Sequence, residues 1–326
     1  MGFLFRDAAG PSLAPGGSVA CVGAFDGVHL GHRALLARVR ERAAARGLAP
    51  MAVSFEPIPR EFFARGTPVP RLASAREKIA HLRSAEMSAL LSLRFDAALA
   101  AMSAESFVED ILLRRCGVRE LWVGADFRFG HARRGDVALL RELGTHHGFE
   151  VGVMDDLCVD GERVSSSAIR AHLSAGEFEP AAHLLGRRFA IGGHVVRGQQ
   201  LGRKLGYPTA NLRLGRRTSP VGGIFAVRVH GVDARSWPGV ASLGVRPTVD
   251  GSGEPLLEAH LFDFDGDLYG RRIEVEFVRK LRDELKFDDL DAMVRQIDRD
   301  AEQARGILVG DEGLRRPGES RDPAPI

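Results

Sequence analysis

Two histidines, His29 and His32, stand three residues apart in a glycine-rich segment that directly follows an apolar run. Gly23, Gly27 and Gly31 belong to the same segment, and glycine lets a backbone approach a ligand closely because it has no Cβ. The spacing places both imidazoles in the first turn of a helix, where free N–H groups and the helix dipole favour an anion. The segment therefore predicts a site for a nucleotide phosphate.

Two other interpretations of residues 23–32 compete with a phosphate site. A turn with two structural histidines would explain a short His-x-Gly-His match, but it does not explain the full ten-residue pattern after an apolar strand. A zinc site would need a third ligand, and the only nearby candidate, Asp26, is explained by the turn itself.

Two later segments place polar side chains at the ends of predicted elements. Asp126 and Arg128 follow a short apolar run, so a carboxylate and a cation lie at the carboxyl end of a strand. Residues 165–167 are three serines at a helix start, with Arg170 one turn further on. Serines at that position are typical of an N-cap, so taken alone this segment indicates only a capped helix.

The second half of the chain has a different set of polar residues. Thr209 and Asn211 lie two residues apart on an extended segment, hence on one face, and their oxygens suit Mg²⁺. Pro208 restricts the backbone just before them, although Pro-Thr-Ala-Asn alone is equally consistent with a simple turn. Because the sequence has neither a P-loop nor the protein-kinase motifs, an ATP site here would be of another kind.

Glu258 interrupts the apolar pattern of residues 256–262. A carboxylate within a mostly buried strand is costly unless it has a partner or a task, so Glu258 is a candidate general base for a hydroxyl substrate. His260 lies on the same face and is an alternative base. A surface position on a half-exposed strand is the third interpretation.

The surrounding sequence predicts two different folds. Apolar runs alternate with helical patterns in the first half, as in a doubly wound parallel sheet that binds ligands where its strands end. Short β patterns with turn signals predict a small antiparallel barrel in the second half. The predicted strands are 18–25, 51–55, 89–94, 120–124, 150–154, 189–196, 226–232, 256–264 and 273–278. The predicted helices are 32–46, 75–83, 106–116, 136–144, 180–185 and 290–308.

Composition narrows the class of protein. A chain of 326 residues favours two domains, and no apolar run approaches the roughly 18 residues that cross a bilayer. The apolar run at the start of the sequence is too short for the core of a signal peptide. The three cysteines are widely spaced, as is typical of proteins in a reducing compartment. We therefore expect a cytoplasmic protein. A net charge of +2 is too small to indicate nucleic-acid binding.

Taken in chain order, these segments resemble the bacterial bifunctional riboflavin kinase/FAD synthetase. In the first half the resemblance rests on residues 23–32, 55–63, 123–130 and 165–170. In the second half it rests on residues 198–211, 220–226, 239–248 and 257–260. It covers about residues 18 to 300, and it implies a nucleotidyltransferase domain at 1–186 and a β-barrel kinase domain at 187–310. The polar, proline-rich composition of residues 311–326 predicts a disordered tail.

The resemblance also implies a role for particular residues. In the first domain it implies that His29 and His32 act on ATP with Ser166, Ser167 and Arg170, and that Asp126 helps to hold flavin or nucleotide. The implied nucleotide loop contains Gly23, Phe25, Asp26, Gly27 and Gly31. In the second domain it implies Mg-ATP at Gly198, Lys204, Thr209 and Asn211, and a ribityl proton taken by Glu258.

Two residues depart from the family pattern, because Ser242 stands where we expect Asn and Ala73 where we expect Thr.

The expected activity is conversion of riboflavin to FMN and then to FAD, with Mg²⁺ and ATP, and without nucleic-acid or membrane partners; the oligomeric state is left open. The alternatives are one retained activity, a flavin or nucleotide sensor without turnover, or an adenylyltransferase for another phosphate. The candidates for holding the flavin ring are Phe55, Phe62, Phe127 and Tyr269.

Overall fold

The computed structural model describes residues 2–64, 68–198, 206–214, 218–245 and 255–312. Contacts divide the chain into two compact units. The first unit contains Met1–Val69 and Ala73–Ser166, and the second contains Pro70–Leu72 and Ser167–Ile326.

The first unit is built on a parallel sheet, as the alternation of strands and helices predicts. The order across its six described strands is β1-β4-β3-β2-β5-β6, and every neighbouring pair is parallel. The strands are β1 (Leu4–Phe5), β2 (Ser18–Val22), β3 (Ala49–Glu56), β4 (Ala89–Arg94), β5 (Val118–Gly124) and β6 (Glu150–Met154). The order reverses beside β2, and such a switch point opens a ligand crevice at the carboxyl ends of the strands.

Helices cover the sheet on both faces, and they bury two separate apolar clusters against it. The helices are α1 (Leu30–Arg46), α2 (Pro59–Phe63), α3 (Ala75–Ser84), α4 (Ala97–Ala101), α5 (Ala104–Ser106) and α6 (Val137–His147). A π-helix (Phe107–Arg115), a 3₁₀ turn (His131–Arg133) and a hairpin of β7 (Cys158–Val159) and β8 (Glu162–Arg163) complete the described elements. The predicted helix at 106–116 is therefore present with wider π-type winding, in which the Cys116 amide bonds the Ile111 carbonyl at 3.0 Å.

One buried carboxylate in the first unit is matched by two arginines. Glu120 lies on β5 and accepts hydrogen bonds from Arg42 Nε at 2.6 Å, Arg46 Nη1 at 2.7 Å and Trp122 Nε1 at 2.7 Å. Burial acts to raise the pKa of Glu120, but these donors outweigh it and hold the pKa at about 2. The ionised form is therefore favoured by folding.

We expect Glu120→Gln to lower the unfolding free energy of the first unit by about 3 kcal/mol at pH 7. The folded pKa of Glu120 lies below the unfolded value of about 4.3. The stability that the ionised carboxylate contributes is therefore complete above about pH 4.3 and is lost as the pH falls through about 2. Urea titrations in a Trp237→Phe background leave Trp122 as the one tryptophan and follow this unit. The difference between the two chains should shrink markedly at pH 3, and an unchanged difference would contradict the assignment.

The second unit contains a closed antiparallel barrel, as predicted, with the strand order β10-β13-β12-β11-β14-β9. Its strands are β9 (Ala190–Val196), β10 (Ala210–Arg213), β11 (Gly223–His230), β12 (Trp237–Val245), β13 (Pro255–Leu261) and β14 (Arg272–Arg282). The sequence analysis missed β10 and β12. The first has only four residues, and the second contains Pro238, Gly239 and Gly244, which lower strand propensity.

Three helices complete the described part of this unit: α7 (Ser166–Ala175), which begins at the last residue of the first unit, α8 (Phe178–Leu185) and α9 (Leu290–Glu312). Helix α9 packs Ala304 and Leu308 on the barrel and is fixed by ion pairs, including Arg282–Asp300 at 2.6 Å. It ends four residues beyond the predicted 308, and residues 313–326 of the predicted tail lie outside the described residues. Within the described chain no helix has the length and apolar character needed to cross a bilayer.

Candidate active sites

The glycine-rich segment forms a loop between β2 and α1 whose backbone is unusual. Two non-glycine residues have left-handed conformations, Phe25 with φ of 50° and Val28 with φ of 42°. The second is β-branched, for which this region is strained and is populated only when the surroundings impose it. Such strain is concentrated at functional sites, so the backbone supports the prediction made from the histidines.

The two predicted histidines are held against each other at the start of α1. His29 is the N-cap, its Nδ1 accepts from the His32 amide at 3.3 Å, and the two rings stack with centroids 3.6 Å apart. With Nδ1 as acceptor, neutral His29 carries its proton on Nε2, which is then a donor. Burial, the neighbouring His29 and the Lys78 ammonium all lower the pKa of His32 well below its usual value. A neutral pair of imidazoles therefore lies at the positive end of the helix.

Hydrogen bonds to Asp26 and the burial of Phe25 hold the rest of the loop in place. Asp26 is buried: its Oδ1 accepts from the Ala73 amide at 3.2 Å, and its carbonyl accepts from Ser166 Oγ at 2.9 Å. Phe25 is fully buried with its ring edge-on to His32 at 5.2 Å, so its side chain supports that imidazole. Since the Ala73 contact uses the main chain, alanine in place of the expected threonine preserves it.

Lys78, a buried cation that was not predicted from the sequence, lies next to the start of this loop. Lys78 on α3 is 3% exposed, and its Nζ lies 2.7 Å from the Phe55 carbonyl, 3.4 Å from the Ala24 carbonyl and 3.3 Å from Glu56 Oε2. Lys78 therefore joins the ends of β2 and β3 where the loop starts. One signal for it was available, because Lys78 and Leu82 are four residues apart and share the inward face of α3.

An aromatic group lies beyond the end of β3. Phe95 lies edge-on to Phe55, Phe62 and Phe63, with ring centroids 5.7, 5.4 and 5.7 Å away. Phe62 is 37% and Phe63 59% exposed, so this group offers apolar rings to solvent. Phe55 and Phe62 are two of the residues predicted for the flavin ring, and this remains a prediction; Phe63 and Phe95 of the same group were not among the predicted residues.

The structure brings other predicted residues of the first site into different surroundings. Asp126 is exposed after β5 and pairs with Arg163 at 2.9 Å. Ser166 begins α7 in the first unit, whereas Ser167 and Arg170 belong to the second unit. There the Arg170 Nε donates to the Pro70 carbonyl at 2.6 Å. Their predicted reach toward ATP phosphates remains a prediction.

In the second unit, Thr209 and Asn211 are joined by hydrogen bonds. Asn211 Nδ2 donates to the Thr209 carbonyl at 3.1 Å and contacts Thr209 Oγ1 at 3.3 Å. Asn211 is buried, and its Oδ1 has no hydrogen-bond partner among the described residues. A Cβ on Gly198 would lie 2.6 Å from that oxygen, so glycine is needed there. A buried oxygen without a donor fits a hard cation, which prefers oxygen ligands.

Thr209 and Asn211 open onto a cleft of about 390 Å³. The cleft is also lined by rings and carboxylates of the turn after β13, among them Phe264, Asp265, Asp267 and Tyr269. The combination of apolar walls with a few polar groups is typical of a small-molecule site. Lys204, the other predicted nucleotide ligand, lies outside the described residues.

Glu258 is not among the described residues that line the cleft. Its position relative to Thr209 and Asn211 follows instead from the register of the strands. On β13 it is half-buried and directly opposite Asn211 of β10 on one side and Ser242 of β12 on the other. Directly opposed residues of an antiparallel pair have neighbouring side chains on the same face. Glu258 therefore lies beside the Thr209–Asn211 pair, and the departure at Ser242 lies next to it.

Two family models match the chain, one to each half. The model described as FAD synthetase matches residues 12–168, and the model described as riboflavin kinase matches residues 185–308. The two matches follow the same order as the parallel-sheet unit and the barrel.

Curated relatives match nearly the whole chain. The bifunctional riboflavin kinase/FMN adenylyltransferase of Pseudomonas fluorescens is 48% identical over 90% of this chain and 94% of that protein. The protein of the same name from Escherichia coli K12 is 44% identical over 92% and 95%. Among solved structures, one titled macrolide-efflux protein from Streptococcus pneumoniae has a TM-score of 0.75 at 27% identity, covering 93% of this chain and 98% of that one.

Proposed function

The chain belongs to the bifunctional riboflavin kinase/FMN adenylyltransferase family, and on that premise we propose which of its residues serve each reaction. It phosphorylates riboflavin to FMN with ATP and transfers the adenylyl group of ATP to FMN to form FAD. The likeness to the S. pneumoniae structure supports the fold, whereas the function rests on the family models and the curated relatives.

FMN adenylylation is assigned to the loop of residues 23–32. A phosphate oxygen of FMN attacks the α-phosphorus of ATP, the bond to the β-phosphate oxygen breaks, and pyrophosphate leaves. The attacking phosphate is already ionised, so positioning and charge stabilisation suffice. The neutral imidazoles of His29 and His32 and the free amides of α1 donate to the phosphates, while Ser166 and Lys78 hold the loop in place.

The aromatic group after β3 is assigned to the flavin ring of FMN. An isoalloxazine is flat and apolar on its faces, and partly exposed Phe62 and Phe63 offer matching surfaces beside the same edge of the sheet. Asp126, after β5, remains our candidate for a polar contact to flavin or nucleotide.

Riboflavin phosphorylation is assigned to the barrel. Thr209 and Asn211 hold Mg²⁺ with ATP, supported by the buried Asn211 Oδ1 without a partner among the described residues. When bound, this ion neutralises charge on the phosphates. The ribityl 5′-hydroxyl oxygen attacks the γ-phosphorus, ADP leaves, and Glu258 accepts the hydroxyl proton because an alcohol is not ionised at neutral pH. The cleft lined by Phe264 and Tyr269 is assigned to the nucleotide.

We propose that the functional boundary lies near residue 186, where the match to the riboflavin kinase model begins at residue 185. A cytoplasmic location is proposed as well. It is supported by the free state of Cys21, Cys116 and Cys158, since a reducing compartment keeps thiols free.

The observation that carries the proposal is the presence of two separate polar clusters, the stacked imidazoles of His29 and His32 in one unit and the Thr209–Asn211 pair in the other. Given riboflavin, ATP and Mg²⁺, the chain should form FMN and then FAD, resolved by chromatography. Thr209→Ala should reduce FMN formation about 100-fold, yet convert added FMN to FAD at the normal rate. If Thr209→Ala phosphorylated riboflavin normally, the assignment of the kinase site would fail. Binding of flavin without any product would indicate a sensor.

A further inference from the structure

His260 makes a direct contact to the turn that carries the proposed magnesium ligands. Its Nδ1 lies 2.9 Å from the carbonyl oxygen of Pro208, the residue immediately before Thr209. A carbonyl only accepts hydrogen bonds, so Nδ1 carries the proton and donates it. Proline has no N–H of its own, which leaves the carbonyl as the polar group through which the Pro208 backbone is oriented.

The imidazole of His260 also contacts two aromatic rings. Its ring centroid lies 5.1 Å from that of Tyr207 and 5.8 Å from that of Phe262, both edge-on. The Tyr207 hydroxyl bonds Asp298 of α9, and the guanidinium of Arg305, also on α9, lies 4.2 Å from the Phe262 centroid. The imidazole thus contacts two rings that are themselves held by residues of α9, in addition to its place on β13.

The bond to Pro208 has a consequence for the ligand pair. Asn211 Nδ2 already bonds the Thr209 carbonyl, which ties these two residues to each other and directs Asn211 Oδ1 away from that bond. The hydrogen bond from His260 restrains the backbone at Pro208, which immediately precedes Thr209 and is not part of the pair. Without it, Thr209 and Asn211 would keep their mutual bond, but their common orientation would be less restricted.

We propose that His260 is a positioning residue of the riboflavin kinase site, whose Nδ1–H bond to the Pro208 carbonyl orients Thr209 and Asn211 for Mg-ATP. This inference rests on the proposed function of that pair. It also separates the two candidates for the base: His260 holds the turn, and Glu258, opposite Asn211, takes the proton.

The test uses three substitutions in the full chain. His260→Phe keeps a ring in contact with Tyr207 and Phe262 but removes the donor. His260→Asn places an amide N–H near the position of Nδ1, whereas His260→Gln places one near Nε2. A base is absent from all three variants, so rescue by asparagine alone identifies the Nδ1 donor as the functional group.

The readout is calorimetric binding of ADP with Mg²⁺ and with EDTA, because the magnesium-dependent component reports the orientation of the ligand pair. We expect His260→Phe and His260→Gln to weaken that component about tenfold, and His260→Asn to remain within about threefold of the parent. The KM for ATP in riboflavin phosphorylation should rise in parallel, while FMN adenylylation stays unchanged as an internal control.

His194→Phe is the matched control, since His194 also directs Nδ1 to a backbone carbonyl, that of Gly270 in the turn before β14, at 3.2 Å. It should leave the magnesium-dependent component unchanged. Equal weakening in His194→Phe, unaltered binding in His260→Phe, or failure of asparagine to rescue would overturn the inference. A Thr209→Ala chain with normal magnesium-dependent binding would instead refute the proposed ligand pair, which distinguishes the two failures.

Discussion

Replacing His29 with alanine is expected to lower FAD formation from FMN by about 10²–10³-fold while riboflavin phosphorylation stays within about twofold. The substitution removes the proposed donor to the phosphates, together with the cap of α1 and the ring stacked on His32 at 3.6 Å. The activities are separable because the kinase residues belong to the other compact unit. Initial rates measured separately, from riboflavin and from FMN, test the expectation.

His29→Asn distinguishes the catalytic contribution of His29 from its role as a cap. Asparagine is a good N-cap and should restore the thermal stability of the first unit, yet it lacks the imidazole and should remain poorly active. His146→Ala, an exposed histidine on α6 of the same unit, serves as the surface control and should behave as the parent. Full activity of His29→Asn would show that His29 acts only by starting the helix.

The local structure around the first candidate site was predictable where its signals are local. Histidine spacing, glycines and a preceding apolar run lie within one segment, and they correctly indicated a strand, a loop and a helix start. The left-handed Val28 was not predictable, because valine disfavours that conformation and only the folded surroundings impose it. Lys78 was missed for a related reason, since its partners are carbonyls more than twenty residues away in the sequence.

The barrel shows the same limit. An extended segment at Thr209 and Asn211 was predicted, but neither β10 nor β12 was recognised as a strand. Their pairing partners are distant in sequence, and register is set by the assembled barrel rather than by local propensity. That register places Glu258 between Asn211 and Ser242, which periodicity in β13 alone does not reveal.

The position of Glu258 accounts for its proposed task. On β13 the side chains of Leu257, Ala259 and Leu261 are buried, so Glu258 projects to the other face, where Asn211 is its direct neighbour. A half-buried carboxylate beside the proposed ligands of Mg-ATP would lie near the attacking hydroxyl. It can therefore accept the proton as the bond to phosphorus forms, and this contribution is worth about 10²–10⁴-fold in rate.

Glu258→Gln keeps the volume and a hydrogen-bonding oxygen but removes the base. We expect kcat for riboflavin phosphorylation to fall by about 10²–10⁴-fold, with the KM for ATP and magnesium-dependent ADP binding nearly unchanged, since binding does not need the proton acceptor. Glu274→Gln is the matched control and should retain kcat. Like Glu258, Glu274 is a half-buried carboxylate that lies between two buried residues of its strand, here β14. A Glu258→Gln enzyme whose kcat stayed within about threefold of the parent would show that the hydroxyl proton goes elsewhere.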